Sequence, residues 1–296
     1  MFHLFRNSLN IFTLLGLTAL VSFAHASNEK GSQYEIGLSM YSLRQLFESG
    51  ELNVHDYPDF AKKTFGITKI DVWSGGYPKN WKKDPDFLPE LKRRADEAGS
   101  EIFLVMTGSV NAIAEKDKAL IKNGLKFTSA VDEAVVLGAP FVRVFLKVDN
   151  DVPEEESIRR AKVALGALAD YAKSKDITIV IEPTPASKKG SGAYLAKVMA
   201  AMDHPNCKLM PDFGKMIKTD FYQGTKDMMP HTICVSAKGH DFNEDGSQKD
   251  FDYPRLMKII REAGFTGIVA IEYEGKNRSP VEGVKAMQKI LEDCNQ

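Results

Sequence analysis

From residue 34 onward, short apolar runs alternate with longer stretches in which apolar residues recur every three or four positions. The short runs are YEIGLSMYS (34–42), KIDVW (69–73), EIFLVMT (101–107), FVRVFL (141–146), TIVIEP (178–183), CKLMPDFG (207–214), HTICVSAKG (231–239) and GIVAIEYEG (267–275). Their length and their content of Ile, Val and Phe predict strands that are apolar on both faces, as in a parallel sheet covered by helices. The longer stretches predict helices at 54–65, 87–99, 119–138, 155–175, 194–203, 221–229, 252–264 and 280–294. Segment 155–175 is the clearest. Ile158, Val163, Leu165 and Leu168 mark its apolar stripe, acids open it and lysines close it, which complements a helix dipole. Gly99 and Gly138 are placed to stop two of the others. Eight strand–helix units predict an α/β fold, a (β/α)8 TIM barrel. A doubly wound open sheet would want a glycine-rich turn after the first strand. GLSMYSLRQ supplies none.

The first 26 residues break this rhythm. Arg6 precedes the apolar run IFTLLGLTALVSFA, and Ala24-His25-Ala26 follows as a small-x-small cleavage site. The run is shorter than the about 20 residues of a membrane span, so 1–26 reads as a signal peptide and 27–296 as a single barrel domain. The expected destination is outside the cytoplasm, periplasmic or secreted, with no membrane association after cleavage. Composition is that of a globular chain, 43% hydrophobic and 27% charged with a net charge of −1. The near-zero balance and the lack of a basic run argue against nucleic acid as a partner. Cys207, Cys234 and Cys294 are odd in number and contain no CxxC pair, so no disulfide framework is implied.

Barrel chemistry sits at the C-terminal ends of the strands. Those ends carry Ser42, Asp71, Trp73, Thr107, Arg143, Lys147, Glu182, Asp212, Ser236, Lys238, Glu272 and Glu274. Alternation puts Ser236 and Lys238 on one face, with His240 continuing that parity into the loop, and Glu272 and Glu274 on another shared face. Glu182, Asp212 and Glu272 follow apolar runs directly, and a buried carboxylate needs compensation. Three of them converging on one mouth point to a divalent cation. Oxygen ligands favour Mn2+ or Mg2+, and an added imidazole would admit Zn2+, Co2+ or Fe2+.

The stretches IVIEP, LMPDFG, VSAKGHDF, DYPRLMKIIREAGFTG and IEYEG resemble the xylose-isomerase-like barrels of the sugar phosphate isomerase/epimerase superfamily. KIDVW and LGAPFVRVF fit its second and fourth strands, so the resemblance runs from about Tyr34 to Leu291. It implies a divalent metal held by Glu, Asp, His and Glu from strands five to eight. Glu182, Asp212 and Glu272 match. At the His position of the family's His-x-Lys this chain has Ser236, which leaves three alternatives: His240 swinging back from its loop as the fourth ligand, a water in its place, or weakened metal binding. The implied activity is isomerisation or epimerisation of a sugar by proton transfer beside a carbonyl. Glu182 and Glu272 would act as acid and base, and Lys238 would stabilise the enediolate.

Two other readings remain open: a metal-dependent lyase or hydrolase on a glycoside or keto-sugar, and an exported sugar-binding barrel without catalysis. An abasic-site endonuclease needs several His ligands, and only six His are present. DFNEDG (241–246) begins like an EF-hand loop but follows a strand and reads as a βα loop. His231 begins strand seven, at the wrong end of a barrel for catalysis. Loops 74–86 and 184–193 are the expected carriers of specificity. If the leader is cleaved as read, N-terminal sequencing of the exported protein starts at Ser27; a retained Met1 contradicts it.

Overall fold

The computed structural model describes residues 34–184, 189, 191–216 and 221–295; the leader expected at 1–26 lies outside them. Eight strands form one sheet: β1 (Glu35–Leu38), β2 (Lys69–Trp73), β3 (Glu101–Asn111), β4 (Phe141–Lys147), β5 (Thr178–Glu182), β6 (Cys207–Leu209), β7 (Cys234–Gly239) and β8 (Ile268–Tyr273). Their order is β6-β5-β4-β3-β2-β1-β8-β7, with every paired neighbour parallel. Parallel bridges Leu209–Thr232 and Asp212–Ser236 join β6 to β7 and close the circle. The fold is the expected α/β barrel.

Outside the sheet lie α1 (Arg44–Ser49), α2 (Tyr57–Phe65), α3 (Phe87–Ala98), α4 (Asp117–Gly124), α5 (Thr128–Leu137), α6 (Glu154–Lys173), α7 (Gly192–Met202), α8 (Phe221–Met228), α9 (Tyr253–Glu262) and α10 (Pro280–Cys294). Gly99 and Gly138 end α3 and α5 at φ of 66° and 68°, a left-handed conformation that glycine adopts without a steric penalty. The helix expected over 119–138 is two helices separated by a 3-10 turn at Leu125–Phe127. The backbone leaves helical values at Phe127 (φ −102°, ψ 9°), and Gly124 lets α4 rest directly on the backbone of α6, since a Cβ there would lie 2.0 Å from the Ala164 carbonyl oxygen. Among the described residues no helix is long and apolar enough to cross a membrane.

β1 and β6 stop well short of their apolar runs. β1 stops at Leu38, and the chain turns through Met40–Leu43. Ser42 Oγ donates to the Ile271 carbonyl (3.0 Å) and accepts from Tyr273 N–H (2.9 Å), tying this turn to β8. β6 stops at Leu209 because Pro211 has no N–H to continue a ladder.

The apolar core has two parts. The larger lies between sheet and helices and includes Leu38, Ile70, Val142, Ile179, Leu165 and Leu168. The smaller comprises Phe103, Leu104, Met106, Val180, Met210, Cys234 and Ala270. Val180, Cys234 and Ala270 share strand parity with Glu182, Ser236 and Glu272, and beyond the end of β6 the Asp212–Ser236 bridge keeps Met210 and Asp212 in step with them, which places this second cluster inside the barrel, beneath the charged mouth.

Candidate active site

Parity and register assemble the mouth. Two residues beyond each apolar floor residue comes a polar one: Val180 then Glu182, Met210 then Asp212, Ala270 then Glu272. Lys238 pairs in register with Glu272, and Asp212 bridges Ser236. All of these side chains are buried. One carboxylate oxygen each from Glu182, Asp212 and Glu272 lies within 4.8 Å of the others.

Cationic side chains fill the space around this trio. Lys215 Nζ lies 2.6 Å from Glu182 Oε1, 3.4 Å from Asp212 Oδ2 and 3.7 Å from Glu272 Oε1. Lys238 Nζ lies 2.6 Å from Glu272 Oε1 and 3.3 Å from Asp212 Oδ2, and it also pairs with Glu274. Arg143 Nε approaches Glu182 Oε2 at 2.9 Å, but at an angle that makes no hydrogen bond, so that buried oxygen has no aligned donor. Arg143 is held by the Thr107 carbonyl (2.7 Å) and stacks over Phe145. Ser236 Oγ donates to Glu272 Oε2 (2.8 Å) and lies 3.3 Å from Asp212 Oδ2. Asp212 Oδ1 accepts from Gly214 N–H at 2.7 Å.

These neighbours push the carboxyls apart. Burial raises Glu182 to about 8 despite Arg143 and Lys215. Burial also works against an ionised Asp212 and an ionised Glu272, but Lys238 and Lys215 outweigh it and hold both below the ordinary carboxylate range. Burial likewise opposes charge on the two lysines, and the surrounding acids win, so both stay protonated.

Lys215 is the residue that strand-end reasoning missed, because it lies in the turn after β6. Its signal was spacing: three residues past Asp212, beyond a Gly, a lysine reaches back over the strand end. His240 is not brought to the trio. β7 ends at Gly239, and the loop turns outward through the Phe242–Gln248 bridge. The His240 ring then lies against Phe251, with Nδ1 2.9 Å from Asp250 Oδ2. The segment that begins like an EF-hand is part of this loop; Asp241 accepts from the backbone N–H groups of Lys276 and Asn277. Trp73 packs edge-on against Tyr41, and Arg278 covers Phe242. Loop 74–86 is pinned by Tyr77 and Trp81 against Phe87. Of the second specificity loop, 185–188 and 190 lie outside the described residues. All three cysteines are free. A cavity of 740 Å³ lies between residues 245–254 and α10, and none of the trio lines it.

The donor set fits a hard divalent ion: three carboxylates, one hydroxyl and a buried Glu182 oxygen with no donor aligned on it. The same trio also differs from a bare acidic cluster, because Lys215, Lys238 and Arg143 bring three positive charges against it.

Residues 59–294 match the family described as xylose isomerase-like TIM barrel. Over 71 residues the chain is 28% identical to the C-glycoside deglycosidase alpha subunit of Arthrobacter globiformis; the match spans 22% of this chain and only 20% of that protein. Among solved structures, the IOLI protein with a zinc atom aligns at TM-score 0.69 and 13% identity, covering 88% of this chain and 97% of that one. The D-allulose 3-epimerase of Methylomonas sp. aligns at TM-score 0.67 and 14% identity, covering 89% and 98%. At these identities the two structures share a fold with this chain.

Asp71 stands beside the site with a separate signature. It is buried, accepts from Met40 N–H at 2.8 Å, and burial raises its pKa from the ordinary 3.8 to about 7. Between those values the unfolded chain has released this proton while the folded chain still holds it, so rising pH favours unfolding. Asp71→Asn cannot ionise. Its melting temperature relative to wild type is therefore expected to climb from pH 4 to pH 7 and level off above, a gain of at most about 4 kcal/mol. Parallel melting curves across that range contradict this.

Proposed function

Given that the chain belongs to the xylose isomerase-like TIM barrel family, we propose that it is a sugar-modifying enzyme, an isomerase or epimerase that moves a proton beside a carbonyl. The carrying observation is the convergence of Glu182, Asp212 and Glu272 at the barrel mouth with their protonation states driven apart. The likeness to the D-allulose epimerase supports the reaction class. The leader read at 1–26 favours a non-phosphorylated sugar met outside the cytoplasm.

Two carboxyls whose surroundings separate their pKa values supply an acid and a base. Glu272, kept ionised by Lys238 and Lys215, is the base that takes the proton from the carbon next to the carbonyl. Glu182, kept protonated by burial, is the acid that returns a proton to the opposite face. The net transfer runs from Glu182 to Glu272 through a planar enediolate, and exchange with water resets the pair. Lys238, fixed between Glu272 and Glu274, places its ammonium where it stabilises negative charge on the enediolate oxygen. A divalent ion, Mn2+ or Mg2+ by its all-oxygen donors, would be held by one oxygen each of Glu182, Asp212 and Glu272, would supply Lewis-acid polarisation of the carbonyl, and would leave the second oxygen of Glu182 to carry the transferred proton.

The match to a C-glycoside deglycosidase subunit favours one second reading. The same proton abstraction ends in elimination when a leaving group sits on the next carbon, which makes the enzyme a lyase. Incubating the protein in D2O with Mn2+ and a panel of free and phosphorylated keto-sugars separates these outcomes. Epimerisation incorporates deuterium into a sugar of unchanged mass class, and elimination releases the leaving group. Glu182→Gln and Glu272→Gln are each expected to lower incorporation by about 10²–10⁴-fold with the fold intact. Saccharide binding without exchange in the wild type, or full exchange in both variants, contradicts the proposal.

A further inference from the structure

Resting on the metal reading above, we propose that Lys215 is a tethered cation that holds the centre of the trio, and that a divalent ion binds only by displacing its ammonium. Among the described residues Lys215 alone places its charge within 4.0 Å of all three carboxylates. A Mg2+ ion needs its oxygens at about 2.0–2.1 Å, in a near-ideal shell. Oxygens that already surround an ammonium cannot also close on an ion placed among them, so the two cations compete for one position.

The two lysines of the mouth differ in their freedom to leave. Lys238 is sealed, with 2% of its side chain exposed, and is anchored on Glu272 and Glu274. Gly214 presses against its stem, since a Cβ there would lie 2.5 Å from Lys238 Cγ. Lys215 is 20% exposed and rises from the turn after β6, so its flexible stem has a route to solvent. Ser236 sharpens the competition. Its hydrogen goes to Glu272, and the neutral oxygen that remains attracts a cation far less than a carboxylate does, which leaves the lysine a stronger rival. Lys215 therefore sets the metal affinity of the site, and it keeps the trio charge-compensated when no ion is present.

Calorimetric titration of Mn2+ into wild type, Lys215→Gln and Lys215→Ala tests this directly, with Lys215 acylation in the wild type as an independent arm. Removing a positive charge from the ion's position is expected to tighten Mn2+ binding by about tenfold or more in both variants. Saturating Mn2+ is expected to raise the rate at which an amine-acylating reagent labels wild-type Lys215, read by mass spectrometry. Equal Mn2+ affinity in all three proteins overturns the tethered-cation role and leaves the metal reading standing. Absence of Mn2+ binding in all three removes both. If the variants fail to fold, unchanged labelling of wild-type Lys215 at saturating Mn2+ overturns the proposal by itself.

Discussion

Three carboxylates share one buried mouth, and everything else at that end of the barrel follows from the need to compensate them. An isolated buried carboxylate is too costly to keep ionised. Lys215 and Lys238 keep Asp212 and Glu272 ionised, while Glu182, in contact with Lys215 and Arg143, holds its proton. Removing one partner from such a group leaves an uncompensated charge, which is typically far more damaging than the group is stabilising. The arrangement thus reads as a device for holding reactive groups, and it contributes little to stability.

The barrel achieves this placement with a simple rule. Side chains alternate along each strand, so Val180, Met210, Cys234 and Ala270 make an apolar floor and the next inward residues make a charged layer above it. The floor keeps water out from below and lowers the local dielectric. That strengthens the ion pairs and also lifts Glu182 and Asp71, the acids whose burial outweighs their partners. One physical setting accordingly produces both an ionised carboxylate at Glu272 and a protonated one at Glu182, the pairing that proton transfer beside a carbonyl requires.

Much of this was legible in the chain itself. An apolar run ending in an acid identifies Glu182, Asp212 and Glu272, because such a strand leaves the acid nowhere to go but the lumen mouth. Alternation also placed Ser236 and Lys238 correctly on one face. It failed at His240, since parity holds only while the strand continues, and β7 ends one residue earlier. The divalent ion inferred from charge repulsion alone was an incomplete argument: Lys215 lies in a turn whose course depends on the break at Pro211, and no strand or helix period reveals where its ammonium reaches. The helix expected over 119–138 is divided at Phe127, where no glycine or proline marks the break, and the close approach of Gly124 to Ala164 joins elements distant in sequence.

The central claim is that Glu182, Asp212 and Glu272 form one cation-holding centre. Diffraction from crystals grown with Mn2+, recorded at the manganese absorption edge, tests it most directly. The account predicts a single anomalous peak among the three carboxylates, with the Lys215 ammonium moved away from Glu182. A map with no peak there, or with a peak elsewhere while Lys215 remains on Glu182, would contradict it.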